Sequence, residues 1–140
     1  MNNEVYQEIF NEFAKFLPYG WEKLIVYLEY AMDSYTFSFY VFINGQYVKC
    51  YDLPGIDEEE LIASYRRIDG VISGIRNKEV GEWTNMTMIV DKEGKMKTEF
   101  DYTDLLEDGY QYKKNWKKKY LIWNIHRFFK KWKNYIITTD

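Results

Sequence analysis

Glu99 and Asp101 stand two residues apart in the stretch EWTNMTMIVDKEGKMKTEFDY, which runs from Glu82 to Tyr102 as two alternating segments around a charged turn. On a strand that spacing puts both carboxylates on one face, roughly 6 to 7 Å apart, a separation that suits general acid and base chemistry. No histidine lies nearby in sequence, and Lys97 shares the same face. A row of charges turned to water or to a partner explains the three residues more simply than a catalytic pair.

Other chemical constellations are sparse. His126 is the only histidine and Cys50 the only cysteine, so a zinc set rich in His or Cys cannot form. A Cys-His nucleophile pair would need two segments that give no independent sign of meeting. Cys50 therefore reads as a structural thiol and His126 as a surface or packing residue. The run Asp57 to Glu60 could attract a cation, but four acids at a helix start are explained equally well by capping and the helix dipole. Gly70 and Gly74 fall inside a helical pattern and do not form a phosphate loop between a strand and a helix. No metal, no cofactor and no catalytic residue is expected.

The elements that carry these residues follow from periodicity. Val5, Ile9, Phe13 and Leu17 recur at helical spacing near the start, and the period then shortens to two from Trp21. Leu24, Val26, Leu28 and Tyr30 alternate along one strand, and Tyr35, Phe37, Phe39 and Val41 along the next. Asn44-Gly45 supplies a tight turn into a third strand, QYVKCYDL. Asp57 caps a second helix lined by Leu61, Tyr65, Ile68, Ile72 and Ile75, with Glu60 at its third position. The two glycines in that helix mark either close packing or irregularity. The hairpin of Met86, Met88 and Val90 against Met96, Thr98, Phe100 and Tyr102 comes next. A basic amphipathic helix closes the chain. The sum is an α+β fold, an antiparallel sheet with helices packed on one face: an N-terminal helix, a central helix and a C-terminal basic helix.

At 140 residues the chain has room for one sizeable core, so residues 1–140 are expected to form a single domain with a basic, aromatic-rich extension at about 122–140. Aromatic residues make up 20% of it, enough to place rings at the surface as well as in the core. A single cysteine and the lack of a secretory pattern at Met1 point to the cytoplasm. The longest uncharged run, Ser34 to Val48, is too short and too broken by Asn44, Gly45 and Gln46 to span a bilayer.

Net charge is -3, but its distribution is uneven. Residues 113–140 hold eight Lys and one Arg against Asp140, so the preceding 112 residues are net -11. An acidic body suits a cationic partner. On the final helix, Leu121, Ile125, Phe128 and Trp132 make an apolar stripe, Lys113, Lys117, Asn124, Arg127 and Lys131 fall largely opposite, and Trp116, Tyr120 and Trp123 flank the cations. That helix could fold onto the acidic body, the use favoured here, or present Lys113 to Lys133 to nucleic acid; peripheral membrane contact is the weaker option.

A resemblance adds to this reading. The early helix followed by GWEKLIVYLEY, the strand FSFYVF, and above all Trp83-Thr84-Asn85 leading through DKEGKMKTEFDYTDL to WKKKYL resemble the YezG-like family. Its members are bacterial cytoplasmic immunity proteins, or antitoxins, of LXG-type nuclease toxins. The likeness covers about Val5 to Leu121, and the chain departs from the pattern after Leu121. The resemblance implies a protein that neutralises a toxin by binding it, with no active-site motif to carry over. Trp83, Thr84, Asn85, Phe100, Asp101 and Tyr102 transfer as pattern residues without an assigned role. A cationic nuclease would meet carboxylates, and Glu58, Glu59, Glu99 and Asp101 are the expected contacts.

Overall fold

The computed structural model describes residues 2–31, 34–78 and 83–122. Helix α1, Asn3–Ala14, begins where Asn2 Oδ1 accepts a hydrogen bond from the Val5 N–H at 3.1 Å, satisfying one donor that a helix start leaves unpaired. Strands β1, Lys23–Ala31, and β2, Ser34–Ile43, pair antiparallel with Leu24 opposite Val41 and Leu28 opposite Phe37. Asn44 and Gly45 turn the chain at φ 53° and 79°, both positive as a type I′ turn requires, and β3, Gln46–Lys49, returns beside β2.

A 3-10 turn at Cys50–Asp52 leads to α2, Glu58–Lys78. Asp57 Oδ1 accepts from the N–H groups of Glu59 and Glu60 at 2.9 and 3.4 Å, the cap its position in the sequence implies. The glycines of α2 do not mark close packing, because a Cβ at Gly70 or Gly74 would meet nothing within 4 Å. Strands β4, Asn85–Asp91, and β5, Met96–Asp101, form the expected hairpin. Its turn is held by Asp91 Oδ1, which accepts from the N–H groups of Glu93 and Lys95 at 3.0 and 2.9 Å. The five strands lie in the order β3-β2-β1-β4-β5, and every neighbouring pair is antiparallel.

The expected α+β class, with helices laid on an antiparallel sheet, is what the structure has. Ile9 and Phe13 of α1 and Leu61, Tyr65, Ile68 and Ile72 of α2 pack on Leu24, Val26, Leu28, Phe37, Phe39, Val41, Met86, Met88 and Val90. These are the alternate residues of each strand, so one sheet face makes the main core. The reverse face carries Ile25, Tyr27 and Tyr40, and these are buried too, under Trp116 and Tyr120. Those two rings belong to α3, Leu105–Lys117, and to a π turn over Lys118–Ile122 that continues it. Asp104 Oδ1 caps α3 by accepting from the Leu106 N–H at 3.0 Å.

The basic helix thus differs from its sequence reading in two respects. It starts at Leu105, well before the cationic run, and Trp116 and Tyr120 face the sheet as core contacts rather than flanking the cations. Of the stripe read from Leu121 to Trp132, Leu121 packs beside this second core; Ile125, Phe128 and Trp132 lie outside the described residues.

Candidate functional site

The polar groups of the molecule converge where α3 crosses β4 and β5. Tyr112, Trp116 and Tyr120 recur at a spacing of four, which sets them one above another on a single helix face. Each ring lies against the sheet and offers a donor to it. The Tyr112 hydroxyl donates to Asn85 Oδ1 at 2.9 Å, Trp116 Nε1–H donates to Thr87 Oγ1 at 2.8 Å, and the Tyr120 hydroxyl donates to a Glu99 carboxylate oxygen. Lysines extend the seam: Lys113 Nζ is 3.6 Å from Glu29 Oε1 and 4.9 Å from the Tyr27 ring centre, and Lys119 Nζ is 3.5 Å from Glu99 Oε2. In all five hydrogen bonds and ion pairs the helical segment brings the proton donor and the sheet the acceptor. A cleft of about 150 Å³ lies along the seam, lined in part by Asn85, Thr87, Glu99, Asp101, Tyr112 and Trp116.

Glu99 and Asp101 sit within this seam, and both are half-buried. The hydrogen bond from Tyr120 is the main influence on Glu99; with Lys97 and Lys119 it overcomes burial and lowers the carboxyl below its usual range. Burial opposes ionisation of Asp101, but the Thr103 hydroxyl at 2.5 Å, the Thr103 N–H at 2.8 Å and Tyr112 together outweigh it, and the net direction is again down. Acid-base catalysis by two carboxylates needs one of them held protonated. Both are shifted the other way here, which speaks against the catalytic pair. Among the described residues no group of three His, Cys, Asp or Glu side chains is placed to hold a metal ion.

The residues of the Trp-Thr-Asn and Phe-Asp-Tyr segments meet in space. Asn85 pairs with Asp101 and Met86 with Phe100 across β4 and β5. Trp83 is buried on the main-core side, its ring centre 5.7 Å from that of Tyr30 and 5.5 Å from that of Phe100, with the Arg76 guanidinium 5.5 Å away. Thr84 Oγ1 donates to the carbonyls of Asp101 and Thr103 at 3.3 and 2.6 Å, tying the chain entering β4 to the chain leaving β5. Asn85 then accepts from Tyr112 on the reverse face. Tyr102 is exposed. The segments therefore act as a clasp, with Trp83 and Phe100 on the main-core side and Asn85 and Asp101 in the α3 seam.

Glu58 and Glu59 lie elsewhere. They are exposed at the first turn of α2, which covers the opposite side of the sheet from the seam. The four expected contact residues thus form two separate pairs. Sequence reasoning missed Tyr112 and understated Trp116 and Tyr120, although their spacing of four was visible; ranking positions by hydrophobicity alone drew the stripe through Leu121.

The geometry defines an α+β protein whose conspicuous polar residues are engaged in holding a helix to a sheet. A family model described as immunity protein YezG-like matches residues 2–133, and the chain belongs to that family of immunity proteins. It is similar to the immunity protein YezG of Bacillus spizizenii (strain ATCC 23059 / NRRL B-14472 / W23), with 25% identity over 130 residues covering 84% of this chain and 81% of that protein. It is also similar to the immunity protein YezG of Bacillus subtilis (strain 168), with 26% identity over 130 residues, 84% of this chain and 86% of that one. Among the described residues no helix is long and apolar enough to cross a membrane.

Proposed function

We propose that this protein binds and silences a cognate toxin in the cytoplasm, that the toxin is a nuclease of the LXG type, and that neutralisation is steric and electrostatic, without turnover. The observation that carries the reading is membership of an immunity-protein family over residues 2–133. The charge distribution supports the choice of target. A nuclease must engage phosphates and so presents cations, which an acidic body attracts at long range.

Glu58 and Glu59 are the stronger contact candidates of the four acids. Their side chains are exposed at the start of α2, with no hydrogen bond or ion pair among the described residues. Glu99 and Asp101 form the second candidate pair, and any contact they make is shared with their role in the α3 seam. The nucleic-acid alternative rests on fewer lysines than the cationic run Lys113 to Lys133 contains, because Lys113 and Lys119 face Glu29 and Glu99.

Affinity capture from the native bacterium, followed by a nuclease assay of the captured protein, tests the reading. A toxin inhibited by this protein at about one-to-one stoichiometry is the expected result. Capture dominated by RNA that survives removal of proteins would overturn it in favour of nucleic-acid binding.

A further inference from the structure

The outer edge of β5 is self-complementary. Strand β5 ends the sheet, and among the described residues no strand pairs with its far side. In antiparallel pairing, successive residues direct their backbone groups to alternate sides. The Tyr30 N–H bonds the Thr84 carbonyl at 2.8 Å and the Asp91 N–H bonds the Lys95 carbonyl at 3.0 Å, so even-numbered residues of β4 address β1 and odd-numbered ones address β5. With Thr87 opposite Glu99 and Ile89 opposite Lys97, the odd-numbered residues of β5 are the ones bonded to β4. Met96, Thr98 and Phe100 therefore direct their N–H and carbonyl groups to the open edge.

We propose that two copies of this chain pair antiparallel through β5, about a two-fold axis at Thr98, so that their sheets run on as one. The sequence around the axis is KMKTEFD, Lys95 to Asp101. An axis at Thr98 sets Thr98 against Thr98 of the second copy and Met96 against its Phe100, pairing even residues with even residues as the open edge requires. The same register sets Lys97 against Glu99 and Lys95 against Asp101, so every charged pair joins opposite signs. An axis one position earlier opposes Lys97 to itself, and one position later opposes Glu99 to itself. An axis at Met96 opposes Lys95 to Lys97, and one at Phe100 opposes Glu99 to Asp101. Like charges directly opposite are destabilising in a sheet, so only the Thr98 register escapes repulsion.

The two faces of the joined strands also match. Met96 and Phe100 are partly buried against the main core and would continue it across the axis. Lys97 is 71% exposed and lies 3.2 Å from Glu99 of its own strand, a contact that can exchange for the equivalent one across the axis. Proteins commonly guard an edge strand with lysine. Here each lysine has an acid at its symmetry-related position, so the guard excludes foreign strands more than it excludes a second copy.

Sedimentation of the full chain over a wide concentration range tests the proposal. The natural sequence should show a reversible monomer-dimer equilibrium. Lys97→Glu sets a carboxylate against the Glu99 carboxylate on both sides of the axis and should weaken it about tenfold or more. Glu99→Lys places Lys against Lys and should do the same, with thermal unfolding to check that the variant folds. Mixing the two variants restores opposite charges at both pairs, so the mixture should associate more strongly than either alone. Thr98→Pro removes the donor at the axis without touching the ladder to β4, and should also abolish pairing. A natural chain that stays monomeric throughout, or association unchanged by both Lys97→Glu and Thr98→Pro, would overturn the proposal.

Discussion

Tyr120 shows how one side chain does two jobs in this protein. Its ring packs 5.1 Å from Trp116 in the second core, and its hydroxyl donates to Glu99. Tyr120→Phe keeps the ring and removes the hydrogen bond, so it should destabilise the fold by about 1.5 to 3 kcal/mol, the usual scale for a bond to a charged acceptor. Urea unfolding at neutral pH measures this, and titration of Glu99 should show its pKa moving up toward the ordinary range. Glu12 makes a similar case on the other side of the sheet. Burial disfavours its charge, but Arg67 at 3.0 Å, Lys15 at 2.7 Å and Ser64 at 3.0 Å more than compensate and hold its carboxyl at about 2, against an ordinary value of 4.5. A depressed folded-state pKa gives stability that is present above the unfolded value and lost as pH falls through the folded one. The Glu12 contribution should therefore fade between pH 4.5 and about 2. Arg67→Met should raise the Glu12 pKa and flatten stability against pH across that window, measurable by denaturation at stepped pH.

Elements differ in how strongly their own sequence specifies them. Helix α2 has a cap, an acidic first turn and a periodic apolar face, so local signals and packing agree. Its weak point is glycine. Gly70 is exposed, lies in regular helix and would have open space around an added Cβ. Gly70→Ala should thus stabilise the protein by about 0.5 to 1 kcal/mol by reducing the freedom of the unfolded chain, an effect visible as a higher melting temperature. Helix α3 is the opposite case. Asp108 departs from helical geometry inside it at φ -137° and ψ 31°, and a π turn follows. Its position depends on the rings and lysines that reach the sheet, which a hydrophobic count of the helix alone undervalues.

At the scale of the whole molecule, the ion pairs described between α3 and the sheet sort charge by sign. Cations of the α3 segment meet carboxylates of the sheet at Glu29 and Glu99, while the acids at the start of α2 stay exposed. Attraction between an acidic surface and a cationic toxin acts mainly on the rate of encounter and is screened by salt. The double change of Glu58 and Glu59 to Lys should slow association with the toxin about tenfold at low salt and make it less dependent on ionic strength, with little change in melting temperature. Stopped-flow or surface-binding kinetics at several salt concentrations would check this, and an unchanged rate would remove those two acids from the contact.

Alternation in WEKLIVYLEY and SYTFSFYVF, the Asn44-Gly45 turn and the Asp57 cap determined strands β1 to β3 and the start of α2, because each depends on residues close together in the chain, whereas the pairing of β1 with β4 joins segments far apart in it. The Trp-Thr-Asn and Phe-Asp-Tyr segments were visible as a pattern, but not as a clasp. Their meeting depends on pairing across β4 and β5 and on a hydroxyl from α3. The surroundings of Glu99 were likewise undecided. Spacing put Glu99 and Asp101 on one face of a strand, and only the tertiary structure settled that this face lies under α3, where Tyr120 and Lys119 reach Glu99. Periodicity shows which residues share a face, whereas the cover over that face is fixed by contacts between segments far apart in sequence.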